Sequence, residues 1–172
     1  TSTLQSSTSG TQYASNAADG LLNTYSLTEI EANPFWAITL DSSYYVDELI
    51  ISCNRNHDDY RHYADQLISD TQNNSRGPLA GLEAAIPVVH SPLLAIVPCD
   101  IPMLDQNLVK RLKTALLQPA DDPVDVSYAH DGERDQYLCV LMRRECLHSV
   151  KEYLRDGGRS VRDWYTQQRT AA

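Results

Sequence analysis

Before Arg55 the sequence contains no lysine, arginine or histidine, and every one of its 14 lysines and arginines lies beyond position 50. A front third without cations has no side chain with which to neutralise a phosphate. Over the whole chain the balance is 14 − 23 = −9, which opposes electrostatic attachment to nucleic acid or to an anionic membrane. A free mononucleotide remains compatible with that charge, because backbone amides and a metal ion hold phosphates without a basic surface. Cys53, Cys99, Cys139 and Cys146 form no CxxC pair, which excludes a zinc knuckle and a thioredoxin-type redox pair. Reduced, buried thiols are the expectation. No apolar run reaches the length of about 18 residues that a membrane helix needs, and the first residues lack the basic-then-apolar form of a secretory leader. The expected location is therefore cytoplasmic, with neither membrane nor nucleic acid as partner. No internal repeat and no biased linker is present.

What is there changes character near position 45. Residues 1–45 are rich in Ser, Thr, Asn and Ala; Asp19-Gly20 and Asn33-Pro34 are turn signals, and 35–40 (FWAITL) alternates as a half-buried strand does. From Val46 onward, short apolar runs alternate with helical stretches, the pattern of βαβ units and a mostly parallel sheet. The runs 48–53 and 93–99 suit central strands, and 124–129 and 137–142 add two more. Helices are expected over 79–89, 104–117 and 145–155, the second marked by Leu104, Leu108, Leu112, Leu116 and Leu117 at helical spacing. Gly157-Gly158 stops the third, and Ser160 is placed to cap a short final helix through Asp163 and Trp164.

In open parallel sheets ligands bind beyond the carboxyl ends of the strands. Three polar segments stand there: Asn54-Arg55-Asn56, Ser69-Asp70 after the short run 66–68, and Asp100-Ile101-Pro102. Asp100 follows a largely apolar strand, and Pro102 prevents that strand from continuing. The spacing leaves two roles open, a carboxylate ligand for Mg²⁺ or a cap for the helix expected near 104. The segment 76–81 (RGPLAG) is a tight loop entering a helix, where small residues admit a nucleobase or phosphate close to the backbone. The dense polar loop 130–135 (HDGERD) reads by spacing first as a solvated hairpin, with a substrate-contacting loop as the alternative.

Taken in order, VDELIISCNRN, SD, RGPLAGLEAAI, LLAIVPCDIPML, HDGERDQYLCVLMRR and YLRDGGRSVRDWY resemble the bacterial molybdenum cofactor guanylyltransferases, the MobA family, over about residues 46–166. The resemblance implies a Rossmann-like three-layer α/β nucleotidyltransferase fold. It implies transfer of GMP from GTP to the molybdenum-bearing molybdopterin with release of pyrophosphate, Mg²⁺ as cofactor, and GTP and the molybdopterin cofactor as partners, with molybdoenzymes or cofactor-delivery proteins as further ones. Asp100 would hold the metal and the nucleotide and act in catalysis. Asp70 would contact the guanosine part, and Ser52 and Asn54 would lie in the nucleotide-binding segment. Gly77, Leu79 and Gly81 would line the guanine pocket, and Asp131, Arg134, Arg159 and Arg162 would face the pterin. The family pattern has an Asn where this chain has Ser52, and it continues beyond the last helix with a further strand and helix.

The front departs further. The family opens with a strand and a glycine-rich loop of the form LAGGxxxRMGGxDK, which has no counterpart here, so minimal GMP transfer is expected. Instead residues 5–51 resemble the opening of an F5/8 type C, or fucolectin-like, β-sandwich, through ASNAADG and EANPFW. That likeness implies a Ca²⁺-binding turn at Asp19 and Asn23 and, as an alternative function, a non-catalytic carbohydrate-binding module. Forty-five residues are too few to close a two-sheet sandwich. The two resemblances meet at YYVDELII, so the chain reads as a fusion with a β- and turn-rich segment at 1–45 and an α/β domain at 46–172.

Overall fold

The computed structural model describes residues 3–5, 36–38, 46–71, 77–99, 101, 104–119 and 123–171. The chain divides into two compact units, Thr1–Tyr45 with Pro98–Val109 and Val46–Val97 with Lys110–Ala172. In the first, strand β1 (Thr3–Gln5) pairs antiparallel with β2 (Trp36–Ile38), Leu4 opposite Ala37. Asp105 accepts a hydrogen bond from the Asn107 amide at 2.9 Å, and Leu108 N donates to Asp105 O. Asp105 therefore organises the turn before helix α3 (Leu108–Leu117), the position for which Asp100 was one candidate. Asp100 itself lies outside the described residues.

The second unit carries the α/β architecture. Strand β3 (Ile50–Ser52) pairs parallel with β4 (Gln66–Ile68), joined by the one-turn helix α1 (His57–Tyr60). Helix α2 (Pro78–Ala85) then leads to β5 (Leu93–Ile96). Strands β6 (Val126–His130) and β7 (Asp135–Arg143) form a hairpin. A 3₁₀ turn (Arg144–Cys146), α4 (Leu147–Arg155), α5 (Val161–Tyr165) and the short β8 (Thr170–Ala171) complete the described elements. The larger sheet has the order β5-β7-β6-β8, with β7 antiparallel to both neighbours and β6 parallel to β8. The pairing is thus mixed rather than mostly parallel, for a local reason. Only residues 131–134 separate β6 from β7, and a parallel crossover needs a dozen or more.

One apolar cluster holds this unit. Leu79, Leu82 and Ala85 of α2, Leu147, Val150 and Leu154 of α4, and Val161, Trp164 and Tyr165 of α5 pack with Val126, Val140 and Met142 of the sheet. Alternation explains the strand members, since Val126 opposes Met142 and Tyr128 opposes Val140 on one face. On α3, Leu108, Leu112 and Leu116 are buried, whereas Leu117 is 48% exposed, because a residue one step along a helix is rotated off the stripe. Two of the four free cysteines, Cys139 and Cys146, are buried as expected, but Cys53 is half-buried and Cys99 exposed. Burial, with the Asp125 carboxylate adding to it, pushes the Cys146 thiol up to about 11, so it stays protonated and inert. Among the described residues no helix is long and apolar enough to cross a membrane.

Ser160 caps α5 as its position predicts, its hydroxyl accepting from Asp163 N at 3.2 Å. The fully buried Trp164 donates through Nε1 to Ser149 Oγ at 2.9 Å, and Gln168 Nε2 donates to the same oxygen at 3.2 Å. Ser149 passes its own proton to Cys146 O at 2.8 Å, so one hydroxyl ties α4 to α5. Ser149→Ala strips both donors of their acceptor and is expected to destabilise the chain by about 1–3 kcal/mol in urea unfolding followed by tryptophan fluorescence. A change below a few tenths would show that water replaces the hydroxyl without loss.

Candidate functional site

Beyond the carboxyl ends of β3 and β4 the ladder continues through side chains. Cys53 N donates to Ile68 O at 2.9 Å; Ser69 Oγ donates to Cys53 O at 2.8 Å. Asn54 and Asp70 then bond reciprocally, Asn54 Nδ2 donating to Asp70 Oδ2 at 3.0 Å and Asp70 N to Asn54 Oδ1 at 2.9 Å. The pairing suits the chemistry, because an amide side chain offers one acceptor and two donors and the carboxylate only accepts. It leaves Asp70 Oδ1 without a partner among the described residues. Asn56 starts α1 in the left-handed region at φ 57, a conformation that asparagine tolerates better than most residues. His57 Nε2 lies 2.7 Å from Ser69 Oγ. Since the Ser69 hydroxyl spends its proton on Cys53 O, the imidazole is the donor, and Ser69 is not an activated nucleophile.

Helix α2 approaches the same edge. Gly77 precedes it at φ 68, ψ −162, a backbone region essentially reserved for glycine. A Cβ on Gly81 would come within 3.0 Å of Ser52 Oγ, so a glycine permits this close approach of helix to strand. Thr71 Oγ1 donates to Glu83 Oε2 at 3.1 Å, tying the segment after Asp70 to α2. The structure thus brings together Ser52 with Gly81, and Asn54 with Asp70. Leu79 behaves differently from the expectation, for it is fully buried in the apolar cluster. Its side chain is committed to the core, and the residue as a whole presents no accessible surface.

The residues expected to face the pterin are organised by structural bonds. Asp131 Oδ1 accepts from Arg134 N at 2.7 Å and Glu133 N at 2.8 Å, and Oδ2 from Gln136 Nε2 at 2.6 Å. These bonds hold its carboxyl down to about 2, so Asp131 shapes the hairpin tip that carries the exposed Arg134. Arg159 Nη1 donates to the carbonyls of Leu154, at 3.0 Å, and Gly158, satisfying the last turn of α4. Arg162 is exposed on α5, and its charge reaches Tyr137, whose hydroxyl donates to Asp135 Oδ2 at 2.8 Å. That donated bond, together with burial, raises the phenol pKa above its ordinary value despite the opposing cation. Tyr128 stacks on Tyr165 beside it, with ring centroids 5.9 Å apart and planes 6° from parallel.

Among the described residues no group of three or more His, Cys, Asp or Glu could hold a metal ion. Asp100, the residue assigned Mg²⁺ from the sequence, and Asp19 and Asn23, assigned Ca²⁺, lie outside them, so no step below is routed through a metal. The sequence reading named Ser69 in the polar segment beyond β4 without giving it a role, and it passed over His57. Their position directly beyond β4, and at the start of the helix beyond β3, was the available signal.

The family model of the MobA-like NTP transferase domain matches residues 26–171. A molybdenum cofactor guanylyltransferase of Shewanella sediminis is 34% identical over 150 residues, covering 87% of this chain and 75% of that protein. One of Ectopseudomonas mendocina is 36% identical over 121 residues, 70% of this chain and 57% of its own length. One of Shewanella amazonensis is 36% identical over 126 residues, 73% and 63%. The chain therefore spans 57–75% of these relatives. Among solved structures, molybdopterin-guanine dinucleotide biosynthesis protein A of Archaeoglobus fulgidus superposes with a TM-score of 0.53 at 16% identity, over 71% of this chain and 60% of that one. An Aquifex aeolicus protein does so with 0.54 at 16%, over 70% and 60%. At that identity the superpositions establish the α/β fold alone.

The Asp131 carboxylate is expected to titrate near 2 in a carbon-detected NMR titration, against about 3.9 for an unperturbed aspartate. Because the folded value is the lower one, its contribution to stability is present above about pH 4 and is lost as pH falls from there through 2. Asp131→Ala should therefore differ from the parent chain in stability at pH 6, and the difference should narrow as pH falls through 2. A midpoint at the ordinary value would show that the hairpin-tip bonds do not persist in solution.

Proposed function

Because the chain belongs to the family of MobA-like NTP transferase domains, we propose that the edge formed by Ser52, Asn54, Asp70 and Gly81 is a guanine-nucleotide site. The reaction it serves would be transfer of GMP from GTP to the terminal phosphate of the molybdenum-bearing molybdopterin. One observation carries the reading: the reciprocal Asn54–Asp70 pair fixes a carboxylate beyond two parallel strands with one oxygen unengaged among the described residues. An acceptor-only group so held suits the hydroxyl and N–H donors of a guanosine. Gly81, half-buried beside Ser52, is the small residue at this edge that leaves room for a planar base. Arg134 and Arg162, both exposed, are the cations this reading assigns to the anionic pterin substrate, whereas Arg159 is engaged in capping α4.

In the transfer, a phosphate oxygen of the molybdopterin attacks the α-phosphorus of GTP and the bond to the pyrophosphate oxygen breaks. Negative charge accumulates on the leaving pyrophosphate, and catalysis depends on groups already aimed at it. The 172-residue chain has no cation before Arg55 and no glycine-rich loop. Binding and turnover should therefore separate in this polypeptide. Isothermal titration is expected to show GTP binding that Asp70→Ala weakens about 10- to 100-fold, the equivalent of losing a charged hydrogen bond of about 1.5–3 kcal/mol. Formation of the guanine dinucleotide cofactor, followed chromatographically, should run at least about 10²-fold below a transferase that has a complete phosphate-binding loop. Binding untouched by Asp70→Ala would refute the site, and rapid dinucleotide formation would refute the account of turnover.

A further inference from the structure

The main-chain ladder between β3 and β4 gives way to side chains one rung before the strands part. Leu49 O accepts from Gln66 N at 3.3 Å, Ile50 to Ser52 run in register with Gln66 to Ile68, and Cys53 N donates to Ile68 O at 2.9 Å. The two-residue rhythm of this parallel pair would next bring Asp70 N to Cys53 O. Neither group makes that bond. Asp70 N donates to Asn54 Oδ1 at 2.9 Å, and Cys53 O accepts from Ser69 Oγ at 2.8 Å. Two side chains, one from the continuation of each strand, thus stand in for a single rung, and no main-chain group is left unpaired by the exchange.

Serine is suited to this substitution, because its hydroxyl reaches a nearby carbonyl and competes with the amide that would otherwise take it. A lone hydroxyl at an exposed position turns readily toward water, and His57 opposes that. Asn56, at φ 57, turns the chain out of β3 into α1, whose first residue is His57. The imidazole Nε2 lies 2.7 Å from Ser69 Oγ and donates to it, filling a lone pair and leaving the one hydroxyl proton aimed at Cys53 O. Asn54, His57 and Ser69 are all exposed, whereas Asp70 is half-buried. Exposed side chains contribute little to global stability, so this chain of bonds is better matched to presenting a ligand group than to holding the fold.

We propose that Ser69 and His57 are positioning residues of the nucleotide edge. Ser69 occupies the acceptor of the absent rung, His57 holds Ser69 to it, and together they keep Asp70 in its reciprocal bond with Asn54, ready for the donors of a nucleoside. Without the Ser69 hydroxyl, Asp70 N closes the rung on Cys53 O and the carboxylate is drawn out of its clamp. The inference rests on the reading of Asp70 as a nucleoside ligand and adds what holds that ligand in place.

Calorimetric titration of the full 172-residue chain with GTP and, separately, with guanosine tests it. Asp70→Ala addresses the underlying reading: unchanged affinity for both ligands would sink that reading and the inference together. With Asp70 established, Ser69→Ala and His57→Ala are each expected to weaken both ligands about 3- to 10-fold, the loss of one neutral hydrogen bond. The double variant should be no weaker than Ser69→Ala alone, since both residues act through one hydroxyl. Ser69→Thr and His57→Gln retain a hydroxyl and an N–H donor and should restore most of the affinity, with melting temperatures staying at that of the parent chain. NMR couplings across hydrogen bonds should link Asp70 N to the Asn54 side-chain carbonyl in the parent and to the Cys53 main-chain carbonyl in Ser69→Ala. Full affinity in Ser69→Ala, a loss confined to GTP, additive losses in the double variant, or an Asp70 amide that keeps Asn54 as its partner in Ser69→Ala would each overturn the proposal while leaving Asp70 as a ligand.

Discussion

The β3–β4 pair and the larger sheet, which share no strand pairing among the described residues, are held together by a single apolar cluster packed against both. Helix α2 is the element that makes this possible. Its Leu79, Leu82 and Ala85 reach the cluster shared with α4, α5 and the hairpin strands, while at Gly81 a Cβ would lie 3.0 Å from Ser52 Oγ of β3, so a glycine eases this close approach. Burial of apolar area is non-directional, so it can hold β3–β4 and β5–β7 in register with one helix. Hydrogen bonds then fix only what burial leaves free: the Asn54–Asp70 pair at one sheet end, and the Ser149 hydroxyl between the last two helices.

This division explains which parts were legible in the sequence. β4 coincides with the run 66–68 and α4 ends before Gly157-Gly158, because turn chemistry and helix caps act within a few residues. The hairpin was visible as a polar loop between two apolar runs, and its brevity decides antiparallel pairing. Less legible was anything depending on a neighbour distant in sequence. The run 93–99 has the composition of a central strand, and among the described residues it pairs with β7 alone, a neighbour that its own sequence does not indicate. Leu79 lies inside a motif that reads as a ligand loop, but its helical phase turns its side chain to the core. Arg159 sits among residues expected to meet a substrate and instead satisfies carbonyls at the end of α4.

The candidate site shows the same limit. Asn54, Asp70 and Gly81 were each nameable from their place beyond a strand or in a tight loop, and Ser52 only through the family resemblance, but the reciprocal bond between Asn54 and Asp70 spans 16 residues of sequence and leaves no local pattern. His57 was passed over because a histidine opening a short helix has many roles. Its role follows only from the hydroxyl it faces: Ser69 gives its proton to Cys53 O, so His57 must donate, and the pair reads as a brace rather than a catalytic dyad.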